Sequence, residues 1–187
     1  MLANFGADAP CNLNESCYNK DCEFISRGFF MIALSIPDVK PFMSALLQNT
    51  LFDPWELRGC ELNILTRYTI SGVINRDYLN DQEAKLRSEQ THLLWRDVRK
   101  KIYELIRGGR TPTSMKLTLA FPKDQLTSFS TDSIESLLLN IQFDGGVLHL
   151  ITGISMKAFS LDRSAEHMWD DYIPSFCEQH SIAYSLE

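Results

Sequence analysis

Two residues able to do nucleophilic chemistry stand three apart near the C-terminus, Cys177 and His180. On a helix that spacing sets thiol and imidazole on neighbouring positions. A cysteine nucleophile and its base need such reach, as in a small hydrolase or transferase. No nucleophile turn surrounds Cys177, and a histidine at a helix C-terminus is favoured by the helix dipole alone, so the pair reads first as structural. His149, central in a strand, and His167 have no partner visible in the sequence. The chain carries no H-E-x-x-H, G-x-S-x-G or G-x-G-x-x-G spacing. Cys11, Cys17 and Cys22 follow a C-x5-C-x4-C spacing that fits neither zinc nor iron–sulfur ligation. No metal or cofactor is expected, and the balance lies against an enzyme.

Acids and bases gather around two tryptophans. Trp95 is followed by Asp97 and Glu104, Trp169 by Asp171 and Glu178. Superposing the tryptophans also sets Val98 on Tyr172 and Ile102 on Phe176. At 100° per residue each carboxylate lies roughly opposite its tryptophan, and carboxylates seven apart are ~10 Å apart along the axis. That is too far to share a proton or an ion, so the match reads as a duplicated packing unit, with Trp95, Ile102, Trp169 and Phe176 turned inward. Arg96, Arg99, Lys100, Lys101, Arg107 and Arg110 form a basic cluster in an otherwise acidic chain. Such a face could hold phosphates, which makes nucleic-acid or nucleotide binding through residues 95–110 the rival reading. Pairing of Asp97 with Lys100 and Lys101, and the fit of Arg107 to a helix C-terminus, supply the structural account.

The elements that must position these residues follow from periodicity. Met31–Ser35 is a short apolar strand. Val39, Phe42, Met43, Leu46 and Leu47 recur at helical spacing, with Pro37 and Pro41 near the helix start. Leu57 to Ile74 alternates as an antiparallel hairpin, and residues 75–91 are a polar loop or a solvated extra helix. Leu94, Trp95, Val98, Ile102, Leu105 and Ile106 make one apolar face, stopped by Gly108-Gly109. Met115 to Phe121 alternates as a half-buried strand, and 122–133 is a loop or one helical turn. Leu137–Phe143 and Val147–Ile154 are joined by Asp144-Gly145-Gly146, a strong hairpin signal. The last helix starts near Ser160 or Asp162 and carries Pro174, which should bend it. Ile182, Tyr184 and Leu186 close the chain as a strand.

The order is β-α-β-β-α-β followed by β-β-α-β. Its first six elements have the order of a ferredoxin-like unit, and the last four repeat hairpin, helix, strand. The fold class is α+β, an antiparallel sheet with helices on one face. Leu138, Leu148 and Leu150 lie out of phase with their neighbours and mark a possible apolar patch on the other face.

At 187 residues, with 44% apolar and 22% charged, the composition is that of a soluble globular protein. A net charge of −6 disfavours a dedicated nucleic-acid binder. The longest apolar run, Phe29–Ile36, is too short to span a bilayer, and no secretory signal is evident. Five cysteines, three of them in the first 22 residues, do not form a disulfide framework, so a cytoplasmic location is expected. Residues 1–30 read as a flexible extension, or an upstream read-through before Met31, and 31–187 as a single domain.

The phrases Ile36-Pro37-Asp38-Val39-Lys40-Pro41-Phe42-Met43, Tyr68-Thr69-Ile70-Ser71-Gly72, Trp95-Arg96-Asp97-Val98-Arg99 with Gly109-Arg110-Thr111-Pro112, and Ser160-Leu161-Asp162 leading to Trp169-Asp170-Asp171 resemble an uncharacterised family of small bacterial proteins, a domain of unknown function, over residues 31–187. The resemblance implies a bacterial cytoplasmic protein and brings no activity and no site. The expectation is a non-enzymatic binding module with a protein partner or a second copy, away from the membrane.

Overall fold

The computed structural model describes residues 31–107, 110–129, 133–158 and 161–186. The expected extension 1–30, the helix stop at Gly108-Gly109 and the Ser160 cap lie outside the described residues. The chain runs β1 (Ala33–Ser35), α1 (Val39–Leu47), β2 (Glu56–Asn63), β3 (Arg67–Ser71), α2 (Asp81–Leu86), α3 (Trp95–Ile106), β4 (Ser114–Ala120), β5 (Ile134–Asp144), β6 (Val147–Met156), α4 (Ser164–Gln179) and β7 (Ser185–Leu186). Short 3-10 turns at Arg76–Tyr78 and Lys123–Phe129 fill the two segments left open between loop and helix.

The seven strands form one antiparallel sheet in the order β3-β2-β4-β5-β6-β1-β7. Leu117, Leu119, Leu137, Leu139, Ile141, Leu148 and Leu150 are buried on one face, where α1, α3 and α4 contribute to a single core. The α+β class with helices on one face follows. Period-two alternation puts Glu61, Lys116, Gln142 and His149, paired across neighbouring strands, on the other face.

The β5–β6 turn is made by Gly145 and Gly146 at φ 56° and 94°, the backbone a two-residue hairpin demands. Helix α2 buries none of its residues. It is held instead by a capping box in which Asn80 accepts from Glu83 N–H and Glu83 accepts from Asn80 N–H. Helix α4 runs through Pro174 as one helix, entered where Asp162 accepts the Ser164 N–H at 2.9 Å.

Both indoles are fully buried. Trp95 Nε1–H donates to the Leu46 carbonyl at 2.8 Å and Trp169 Nε1–H to the Leu138 carbonyl at 2.9 Å, so neither polar atom is stranded. Trp55 joins them, 6.1 Å from Trp169 between ring centres. Trp169 stacks on Tyr172 at 5.5 Å.

Strand order, which the order of elements left open, is set by β1, which leaves the first hairpin and pairs with β6 and β7. Two expectations are corrected. The two ββαβ runs are not equivalent, since β4 pairs with the first strand of its hairpin whereas β7 pairs with β1. In the second run β5 has already given that edge to β4. Leu148 and Leu150 belong to the core and not to an outer patch, and Leu138 alone of the three lies out of phase, half-buried.

Candidate functional site

The apolar stripes of α1 and α3 are wider than the sheet beneath them can cover. On α1, Phe42 and Leu46 are sealed in the core, while Val39 and Met43 stay half-covered. On α3, Trp95, Val98 and Ile102 are buried, while Tyr103 and Ile106 stay half-covered. The uncovered remainders face one another across a groove of about 480 Å³, within the range of ligand sites. Its α1 wall is the row Val39, Met43 and Leu47, with Lys40, Ser44 and Gln48 one position further round as a polar lip. Its other wall is Tyr103 and Ile106, its floor Met115 and Phe143, and its far end Thr111, Pro112 and Gly146. The methionines give an adaptable apolar lining.

The basic cluster divides. Arg99 Nε lies 2.6 Å from Asp53, and Nη1–H donates to the Gln48 carbonyl at 3.1 Å. That guanidinium is a strut between α3 and the end of α1. Arg96, Lys100 and Arg107 are exposed, and among the described residues no ion pair engages them. Spacings of four and seven put Arg96, Lys100 and Tyr103 on one row of α3, with Arg107 continuing its line. Of this row Tyr103 lines the groove, and Lys100 and Arg96 continue from it along α3 toward the helix start. Arg110, also exposed, precedes the lining residue Thr111. Asp97 is not the partner of Lys100 and Lys101. It accepts from Arg87 at 2.9 and 3.2 Å and from the Leu94 N–H at 3.2 Å. Burial works against its ionisation, but the Arg87 guanidinium and that N–H outweigh it and hold the carboxyl below the usual value.

The other chemical candidates are occupied structurally. Cys177 is fully buried, and burial pushes its thiol up to about 11, so little nucleophilic thiolate forms near neutrality. The His180 ring is exposed and packs on Phe176 at 4.6 Å. A helical spacing of three did bring the two close in sequence, but the thiol turns into the core. Glu178 accepts from the Tyr184 hydroxyl at 2.9 Å, while Glu104 and Asp171 are exposed.

A polar cluster absent from the sequence reading sits at a bulge in β2, where Arg58 is the extra residue between Leu57 and Gly59. Glu56 lies 3.2 Å from Arg58 and 3.4 Å from Lys123. Arg58 also reaches His92 at 3.2 Å. Burial, then the Arg58 cation, lowers the His92 pKa and keeps the imidazole neutral. Both cations are matched to the one carboxylate, so the cluster locks the bulge to the 91–94 segment. Its signal in the sequence was only the E-x-R of Glu56 and Arg58, which alternation places on one face like any solvated pair, with nothing to announce the bulge or His92.

The described residues thus form an α+β fold on one seven-stranded sheet, with an apolar groove between two helices and a basic row on the second of them. A family model described as "Family of unknown function (DUF5721)" matches residues 45–185, and the chain belongs to this family. The match begins inside α1, leaving β1 and the Lys40 and Met43 part of the groove outside it. No curated protein and no solved structure matches the chain. Among the described residues no helix is long and apolar enough to cross a membrane.

Proposed function

We propose that the protein is a non-enzymatic binding module that holds an apolar group of another molecule in the α1–α3 groove. The observation that carries this reading is the half-covered Val39, Met43, Tyr103 and Ile106 facing one another over Met115 and Phe143. Apolar surface left open beside polar lips is the usual anatomy of a recognition site. The protonated Cys177 and the structural engagement of Asp97 and Arg99 support binding over catalysis by those groups. The family resemblance and the cysteine pattern support a bacterial cytoplasmic setting.

The test is titration with Nile red, a neutral apolar dye, read by its fluorescence. Saturable binding is expected, with at least a tenfold loss in Met43→Glu, which puts a charge on the groove wall. Absence of saturable binding, or equal binding by wild type and variant, overturns the reading.

The exposed Arg96, Lys100, Arg107 and Arg110 support nucleic-acid binding as a second reading. Its test is a fluorescent duplex whose affinity falls steeply with added salt and with Arg96→Glu plus Lys100→Glu.

A further inference from the structure

Resting on the groove reading, we infer that the occupant is an acidic amphipathic helix of a partner protein, laid along α3 with its apolar side chains in the groove and its carboxylates against Arg96, Lys100 and Arg107. Three features point to this chemistry. First, the cations are spread along α3 and do not converge at one end. From position 96 to the C-cap at 107 the row spans ~16 Å, so it matches a line of anions and not a single head group. Second, the floor and walls are apolar (Met43, Ile106, Met115, Phe143), which suits leucine-type anchors of a docked helix and not a sugar–phosphate backbone. Third, among the described residues no ion pair engages Arg96, Lys100 or Arg107, whereas the more covered arginines are matched. Arg58, Arg87, Arg99 and Arg163 each have a carboxylate partner. A basic row in a chain of net charge −6 is complementary to an acidic partner and selects against basic ones.

The experiment compares three synthetic helices of about 14 residues, long enough to span the row. All carry leucines at i, i+3, i+4 and i+7; they differ in having Glu, Gln or Lys on the flanking positions. Binding to the full chain is read by fluorescence anisotropy. The Glu peptide should bind at least tenfold tighter than the Gln peptide, and the Lys peptide weakest. That preference should shrink with added salt and vanish in Arg96→Glu plus Lys100→Glu, both exposed sites where folding is undisturbed.

Equal affinity for the Glu and Gln peptides, both lost in Met43→Glu, overturns the acidic partner and leaves the groove reading standing. Failure of all peptides together with failure of Nile red removes both. Displacement of the Glu peptide by dodecanoate at equal concentration assigns the groove to a small amphiphile, and by duplex DNA assigns the row to nucleic acid. Concentration-dependent self-association blocked by Met43→Glu assigns it to a second copy. Each of these three results overturns the inference.

Discussion

A Cβ placed on Gly72 would lie 1.7 Å from the Leu57 carbonyl oxygen and 2.5 Å from the Leu57 carbonyl carbon. Gly72 therefore lets the segment after β3 pass directly over the β2 bulge. Its N–H reaches the Arg58 carbonyl at 3.4 Å, and its carbonyl accepts from Leu93 at 2.8 Å. One residue thus joins the bulge to the strand-like 91–94 segment that leads into α3.

The clash at Gly72 is with backbone, which has no rotamer by which to move aside. Gly72→Ala is expected to cost about 3 kcal/mol or more, at the high end for a single substitution. Urea denaturation measures it. A loss under about 1 kcal/mol would show that the bulge can shift, and the close approach would not be a constraint on the fold.

Arg99 provides the separation between stability and binding. Its contacts with Asp53 and the Leu47 and Gln48 carbonyls predict a loss of about 2 kcal/mol in Arg99→Ala, in the range for hydrogen bonds to a charged group. Arg99→Lys should recover only part, because an ammonium lacks the planar fork. Lys100→Ala, one residue on but exposed, should stay within about 0.5 kcal/mol of wild type. Equal unfolding midpoints for the Arg99 and Lys100 variants would remove the strut.

Two aspartates give stability of opposite pH dependence. Asp170 accepts from the Thr152 hydroxyl, which in turn accepts the Ile32 N–H at 3.0 Å and so ties β1 to β6 and α4. Burial raises the Asp170 pKa above 3.8, and the Thr152 and Ile32 hydrogen bonds offset only part of that. The folded state then holds the proton more tightly than the unfolded chain. Its contribution is fully present below 3.8 and is lost as pH rises through the higher folded value. Asp170→Asn keeps an oxygen for Thr152 and cannot ionise. Its urea midpoint should exceed wild type at pH 7, and the difference should close below pH 3.8. For Asp97 the folded pKa is depressed, so its contribution is present above 3.8 and fades as pH falls through the lower folded value. Asp97→Ala should cost about 1 kcal/mol at neutral pH, as for a lost helix cap, and progressively less in acid. Parallel pH profiles for the two variants would contradict the assigned environments.

The elements were legible because their periods are local. The alternation from Met115 to Phe121, the Asp144-Gly145-Gly146 turn and the stripe through Trp95, Val98 and Ile102 each announce themselves within a dozen residues. Strand order was not, because a hairpin period says nothing about which edge a later strand takes. β7 carries the same hairpin–helix–strand context as β4, yet β5 had no free edge to offer it. The groove was hidden for a related reason. Val39 and Met43 belong to the same sequence stripe as Phe42 and Leu46, and only the position of α3 decides which pair is covered. Arg99 and Lys100 likewise look alike in a basic run until Asp53 arrives beside one of them from a distant loop.

Cys177 shows how such placement reverses a chemical reading, and it supports the last prediction. Its thiol and that of Cys60 are both buried, and burial pushes each up to about 11. The negative neighbours Glu178 and Glu61 add to the shift in the same direction. A thiol without solvent access and with little thiolate should resist alkylation. With Cys11, Cys17 and Cys22 replaced by serine, native protein at pH 8 should react with iodoacetamide far more slowly than a free cysteine of pKa near 8.5. In urea beyond the unfolding midpoint both remaining thiols should label at the free rate. Because labelling of the native chain then requires opening of the core, its rate should rise in Gly72→Ala, in step with lost stability. Fast labelling of Cys177 in the stable native state would restore a reactive thiol beside His180 and revive the hydrolase or transferase reading.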